Sequence, residues 1–460
     1  MTRSRLRLLC TTLIASSLTT LACSIAFAQS APEAAPTPPT APTEPLPPAL
    51  TPPATVAEPA APAPAESTVV AEPPPVSIAP PESVPPAEVM PPSEEEPETP
   101  WYADFKVGGF VDAYAAIRSD KNSRPLPSPG VPYGGYPTEA YVQANGFALA
   151  FAGLDATYSG DQFGATISLR FGPGVNRFYG TSVSDLGIQY ITQAYATYKP
   201  IKQLTFDLGQ FSTIYGAEVT ESWKNVNYTR GALYYAMQPF WHTGLRANFA
   251  ITDSFALNGL VVNGVNNAFE NNKSPSLGLQ AVYTAGSLLT VSAGYLGALD
   301  PRSGGNGVFQ NFFDVVAVVT AGGFKLVANA DLNLYRLRGA ADGENFWGIS
   351  VAPSYAFGDC FGVGLRFEYL VDSANQWNMT KTRTPIDPED ATNGAEPASK
   401  SQLTTLTATL DIKPIPGVTA LILRPEFRVE FAGDYYFENR DNVLTKTFWT
   451  LMLGAVVTSL

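Results

Sequence analysis

The sequence predicts an all-β fold: a transmembrane antiparallel β-barrel of about 16 strands, preceded by a disordered Pro-rich segment. Three observations predict it. From Trp101 onward, run after run alternates apolar and polar residues with period two. Long connectors alternate with short turns along the same stretch. Charged side chains fall on one parity of these runs and large apolar side chains on the other.

Residues 1–28 carry the marks of an export signal. Arg3, Arg5 and Arg7 precede a short apolar run, and Ala26-Phe27-Ala28 forms a cleavage site. The run is too short and too rich in Ser and Thr to span a bilayer. Cys10 and Cys23 depart with it, so Cys360 alone remains and no internal disulfide can form.

Residues 29–100 are mostly Pro, Ala, Glu, Thr and Ser, with no Lys, Arg or aromatic residue. Such a chain buries too little apolar surface to offset its ordering entropy. It is expected to act as a periplasmic spacer, and at about 3.1 Å per residue it reaches on the order of 200 Å. That reach allows contact with the cell wall. Its 11 glutamates and the leader's three arginines leave 25 basic against 30 acidic residues in 101–460. With no basic stripe and a formal charge of −13 overall, a nucleic-acid partner is not expected.

In the body, Leu204, Phe206 and Leu208 oppose Thr205 and Asp207, and Leu245, Ala247 and Phe249 oppose Arg246 and Asn248. Ile167 and Leu169 oppose Arg170; Leu326 to Leu334 oppose Lys325 to Asp331; Leu365 and Phe367 oppose Arg366 and Glu368. Phe427 and Val429 oppose Arg424, Glu426, Arg428 and Glu430. The long connectors are 119–145, 172–187, 213–239, 264–275, 299–310, 337–345, 373–402 and 432–445. Seven short turns fall between them, for example Asp253-Ser254, Gly322-Gly323 and Gly358-Asp359. Eight long connectors and seven turns give 16 strands with both termini on the short-turn side, although 14 or 18 strands fit the same boundaries. Tyr and Phe gather near strand ends, where the interfacial girdles of such barrels lie. Pro353 and Pro425 fall inside strands, and each is expected to mark a bulge or a strand end.

A charge on the lipid face costs about 2–4 kcal/mol at the midplane. Parity therefore sends Arg170, Asp207, Arg246, Asp331, Arg366, Glu368, Arg424, Glu426, Arg428 and Glu430 into the lumen as expected pore-lining residues. At this strand number the interior is too wide for wall side chains alone, so a water-filled channel is expected; a plugged barrel with a ladder of paired charges is the rival. The third long connector holds Glu218, Glu221, Lys224 and Arg230 among Trp223, Tyr228, Tyr234 and Tyr235. Charges of both signs there suit a loop that folds inward and narrows the pore, or an ordinary external loop. No catalytic residue, metal site or cofactor is expected, since His242 is the only histidine and no nucleophile or phosphate-loop motif occurs. His242 is expected to be structural, at interface level beside Phe240-Trp241.

The run Gly216-Ala217-Glu218-Val219-Thr220-Glu221-Ser222, then Tyr228-Thr229-Arg230, Gln238-Pro239-Phe240, His242-Thr243-Gly244 and Val261-Val262-Asn263-Gly264 resembles the OmpL-like β-barrel porin family. The resemblance covers residues 101–460 and leaves out the Pro-rich segment. It implies an outer-membrane porin of a Gram-negative bacterium and implies no particular solute. Glu218, Glu221, Arg230 and His242 fall on family-typical positions without an assigned role.

The expected function is passive diffusion of small hydrophilic solutes or ions across the outer membrane. The expected partners are outer-membrane lipid, those solutes, the cell wall through residues 29–100, and two further copies in a homotrimer. The rivals are a non-conducting barrel that anchors the membrane to the wall, and a barrel hydrolase using His242.

Overall fold

The computed structural model describes residues 104–119, 145–179, 187–270, 273–300, 308–337, 344–373, 401–415, 420–433, 436–439 and 443–459. The leader, the Pro-rich segment, Leu460 and most of connectors 119–145, 299–310 and 373–402 lie outside the described residues.

Among the described residues the strands are β1 (Phe105–Arg118), β2 (Gly146–Ser159), β3 (Phe163–Phe171), β4 (Ile191–Ile201), β5 (Leu204–Ser212) and β6 (Trp241–Thr252). They continue as β7 (Phe255–Val262), β8 (Ser276–Ala285), β9 (Leu289–Asp300), β10 (Val308–Ala321), β11 (Phe324–Leu337) and β12 (Glu344–Ala356). The last are β13 (Phe361–Asp372), β14 (Ser401–Ile412), β15 (Leu421–Ala432), β16 (Phe437–Glu438), β17 (Leu444–Thr445) and β18 (Thr447–Thr458). β1–β15 and β18 close into one antiparallel barrel, each strand pairing with its neighbour in chain order. β16 and β17 form a small hairpin within the last connector. The seam pairs β1 with β18 from Phe110 opposite Thr458 to Arg118 opposite Thr450. Closure leaves no edge strand, the condition for β-structure in hydrocarbon.

The two faces separate as period-two alternation demands. Leu208, Leu365 and Phe427 are 64%, 49% and 46% exposed, while Arg366 and Glu426, on the opposite parity, are 2% exposed. An apolar face of this kind all around a barrel is a lipid-facing surface. Aromatic pairs ring it at two levels. Near the short turns lie Phe105–Tyr158, Phe163–Tyr198 and Tyr355–Phe357, with centroids 4.9, 5.2 and 4.8 Å apart. Near the long connectors lie Phe171–Tyr190, Tyr295–Phe313 and Trp347–Tyr369, at 5.7, 5.1 and 5.7 Å.

The two strand prolines correct the expectation. Neither marks a bulge or a strand end. Pro353 pairs with Leu326 on one side, while on the other the pairing between β12 and β13 skips from Val351 to Ser354 without a register shift. Pro425 pairs with Leu453, and the β14–β15 ladder skips likewise between Thr409 and Ile412. An N–H serves only one neighbour, so its loss interrupts one ladder and leaves the other intact. A real bulge lies elsewhere. Register shifts where Asp112 faces Phe151 and Ala113 faces Leu149, making Ala150 the extra residue. The bulge turns Phe151 inward, where it is 1% exposed and stacks on Phe178 at 6.1 Å.

Candidate functional site

The third connector, between β5 and β6, does not stay outside. Its hydrogen bonds run to the inner faces of strands far around the wall, which requires it to lie within the barrel. Ser222 donates to Asp112 on β1, and the Ala217 N–H donates to Asn329 on β11, at 2.8 and 3.1 Å. Asn227 donates to Thr409 on β14 at 2.7 Å, and the Tyr228 N–H to Glu426 on β15 at 2.7 Å. The short helix Ala232–Met237 begins where the Leu233 N–H reaches Glu368 on β13 at 3.0 Å. No acidic side chain in its first turn supplies a cap, so this wall carboxylate satisfies one of its open N–H groups.

The wall is shaped to receive it. Gly364 leaves room for the Val226 carbonyl oxygen, which a Cβ would meet at 2.6 Å. Gly454 leaves room for the ring of Tyr228, which a Cβ would overlap. The Tyr228 hydroxyl then donates to Asp112 at 2.7 Å.

The charges expected to line the pore mostly hold this loop. Arg170 forks between Asp155 at 2.9 Å and Glu221 at 2.7 Å. Arg366 joins Glu218 at 2.7 Å and Glu368 at 3.2 Å. Arg424 pairs with Asp411 at 2.6 Å and donates to the carbonyls of Asn225 and Val226 at 3.0 and 2.8 Å. Arg428 pairs with Glu430 at 2.8 Å and donates to the Arg230 carbonyl at 2.7 Å. Glu426 accepts from the Tyr228 and Thr229 N–H groups and from the hydroxyls of Thr229 and Thr409. A buried carboxylate or guanidinium is tolerated only when such partners replace its water.

Asp207 and Arg246 stand apart, paired with each other at 2.7 Å on β5 and β6. Asp331 holds the loop near its β6 end. It lies directly opposite Asp314 on β10, and Asn329 Nδ2 bridges the two carboxylates at 2.9 Å each while Gln238 donates to Asp331 at 2.8 Å.

The four loop charges divide. Glu218 and Glu221 reach wall arginines, as above. Lys224 enters no ion pair with them; its Nζ lies 5.8 Å over the Trp223 ring. Arg230 presents no charge to a lumen. Its guanidinium is wholly buried, bonded to the Tyr228 and Thr220 carbonyls, and lies 5.5 Å from the Phe178 ring centroid. Burial lowers it to about 10, with Asp112 as the main opposing charge. The expectation of a loop cation facing the lumen is therefore corrected for Arg230, while Lys224 stays exposed. Arg230 is used for internal bonding because its dry neighbours leave a free charge no solvation.

His242 is also inside, at the start of β6. Its Nδ1 meets the Gly264 carbonyl at 3.0 Å and its Nε2 the Thr213 hydroxyl at 3.2 Å, with no exposed surface. It ties the root of the loop to the connector after β7. The group absent from the sequence reading is Asp112, wholly buried and bonded to both Ser222 and Tyr228. Its inward parity on β1 was the available signal. Asp155 and Asp411 were open to the same reasoning.

A closed barrel of this strand number, apolar outside and polar inside, with its third long loop folded within, defines the porin class. The chain belongs to the family "beta-barrel porin-2, OmpL-like", whose model matches residues 104–458. No curated protein matches it. Among solved structures it is similar to the outer-membrane-expressed OmpT of Vibrio cholerae, at 14% identity and a TM-score of 0.49, covering 77% of this chain and 97% of that one. It is similar to the anion-selective porin from Comamonas acidovorans at 11% identity and a TM-score of 0.48, covering 77% and 99%. For the outer membrane channel DcaP of Acinetobacter baumannii the values are 14% and 0.47, covering 77% and 96%.

Proposed function

We propose that the chain is a narrow outer-membrane porin of a Gram-negative bacterium, passing small hydrophilic solutes or ions between the inward loop and one arc of the wall. One observation carries the reading. The loop's hydrogen bonds run to β1, β3, β8, β9, β11, β13, β14 and β15, whereas on β4–β6 Tyr195, Thr197, Thr205, Arg246 and Asn248 keep partial solvent exposure on the inner face. A wet polar strip beside a packed loop is the lining expected of a restricted aqueous pore. The termini are assigned to the periplasm by the rule that short turns lie there. Residues 29–100 would then extend through that space towards the wall, and the homotrimer remains part of the same proposal.

The test is refolding of the mature protein into planar bilayers. Stable single-channel steps, smaller than those of an open sixteen-strand pore, support the reading; a folded, heat-modifiable barrel without steps rejects it. The density of loop anchoring favours one rival specifically, a plugged barrel that tethers the membrane through its Pro-rich arm. That rival requires silent bilayers and a loss of envelope cohesion when residues 29–100 are deleted.

A further inference from the structure

We infer that Arg246 is the solute-recognising residue of the passage, and that the solutes it recognises are small organic anions bearing a carboxylate. This rests on the porin reading above and deepens it.

The inner-wall arginines are not equivalent. The side chains of Arg170, Arg366, Arg424 and Arg428 are 1–3% exposed and spent on the loop or its anchors. Arg246 is 20% exposed. Its Nε and Nη2 both donate to Asp207 Oδ2, at 2.9 and 2.7 Å, and Thr197 donates to Oδ1 at 2.6 Å. Both Asp207 oxygens are thus engaged. The Nη1 group of Arg246 has no such engagement: among the described residues it donates to no protein acceptor. Its two N–H groups are free for a solute.

The side chain is also held in place. Its guanidinium carbon lies 4.6 Å from the Phe211 ring centroid and 5.5 Å from that of Tyr195. Two aromatic contacts and a two-point grip on Asp207 fix the plane, so little rotamer freedom remains to be lost when a solute binds. The outer edge of the guanidinium, one Nη1 N–H beside the Nη2 N–H that does not point at Asp207, presents two parallel donors that match the two acceptor oxygens of a carboxylate.

Asp207 sets the character of the site. It cancels the formal charge of Arg246 locally, so the site selects through hydrogen-bond geometry more than through net field. Weak selectivity between potassium and chloride then coexists with a measurable preference for carboxylates. Uncovering either partner breaks this balance in opposite directions.

The experiment uses the refolded mature protein in planar bilayers with a KCl gradient, with sodium acetate added as the probe. Wild type is expected to show a reversal potential near zero and a chloride current that acetate reduces. Arg246→Gln is expected to move the reversal potential towards cations and to weaken the acetate effect about tenfold, the scale of one hydrogen bond to a charged group. Asp207→Asn is expected to move the potential towards anions. Arg246→Lys keeps the charge and removes the planar fork, so it should hold the potential while losing most of the acetate effect. The inference is overturned if acetate acts equally on wild type and Arg246→Gln, or if Asp207→Asn and Arg246→Gln shift the potential in the same direction or not at all, since the passage then lies elsewhere. A folded wild-type barrel that never conducts overturns the porin reading itself, an outcome separate from conducting channels indifferent to Arg246.

Discussion

Arg366 Nη1 lies 2.7 Å from Glu218 Oε1, joining β13 to a loop residue 148 positions earlier in the chain. The arginine is 1% exposed and also holds the Thr229 carbonyl at 2.6 Å. Breaking a buried pair by removing one partner costs about 3–5 kcal/mol, because the other charge stays buried alone. Arg366→Gln is therefore expected to loosen the loop and raise single-channel conductance, with a loss of stability of that size in urea titration. Unchanged conductance in a folded Arg366→Gln barrel would show that the loop needs no latch at this point.

Glu218→Lys combined with Glu221→Lys sets two ammonium groups against Arg366 and Arg170, the present partners of those glutamates. Like charges brought together in a dry site repel. The expected outcome is an ejected loop: larger current steps, a shift of the reversal potential towards anions, and new protease cleavage within 213–240. A double variant with wild-type conductance and protease resistance would contradict the ion-pair anchoring.

Asp314 and Asp331 face each other across β10 and β11, with exposures of 1% and 3%. Like charges directly opposite in a sheet are destabilising, by up to about 1 kcal/mol. Asp331→Asn removes one charge and keeps an oxygen for Gln238. A rise in melting temperature is expected, read by loss of the heat-modifiable gel form; a fall would mean that the second charge is needed.

Leu208 is 64% exposed on the outer face of β5, and Thr205 lies on the inner face of the same strand. Leu208→Arg should cost about 2–4 kcal/mol in lipid, while Thr205→Arg should cost far less. Equal costs in urea titration of the two refolded variants would contradict the assigned faces.

His242→Ala removes the contacts to Thr213 and Gly264 at the loop root. Conductance should persist in bilayers, with broader current levels as the root loosens. Loss of all conductance with the barrel intact would give His242 a larger part than a tie.

The barrel was legible because its signals are local. Alternation needs only neighbouring residues, and connector lengths need only their order, so the faces of Leu245 and Arg246 followed directly. The inward loop was half legible. Charges at Glu218 and Glu221 made it plausible, but which wall residues receive them depends on closure, which brings Arg170 and Arg366 to the same lumen. Arg230 misled for that reason: only the folded loop sets it against Phe178, a residue distant in the chain. The inward turn of Phe151 was not legible, since the extra residue Ala150 inverts the parity of the strand beyond it. The prolines misled because each missing N–H interrupts one ladder only, and the other ladder carries the strand through.

Tyr228 lies at the seam. Its hydroxyl is bonded to Asp112 on the first strand, and its ring fills the space beside Gly454 on the last. The loop that carries it belongs to the fifth and sixth strands, so one side chain ties the middle of the chain to both ends of the sheet. The closing pair of strands therefore meets across a ring that neither of them carries, and the seam is held from within the barrel as well as by its own ladder.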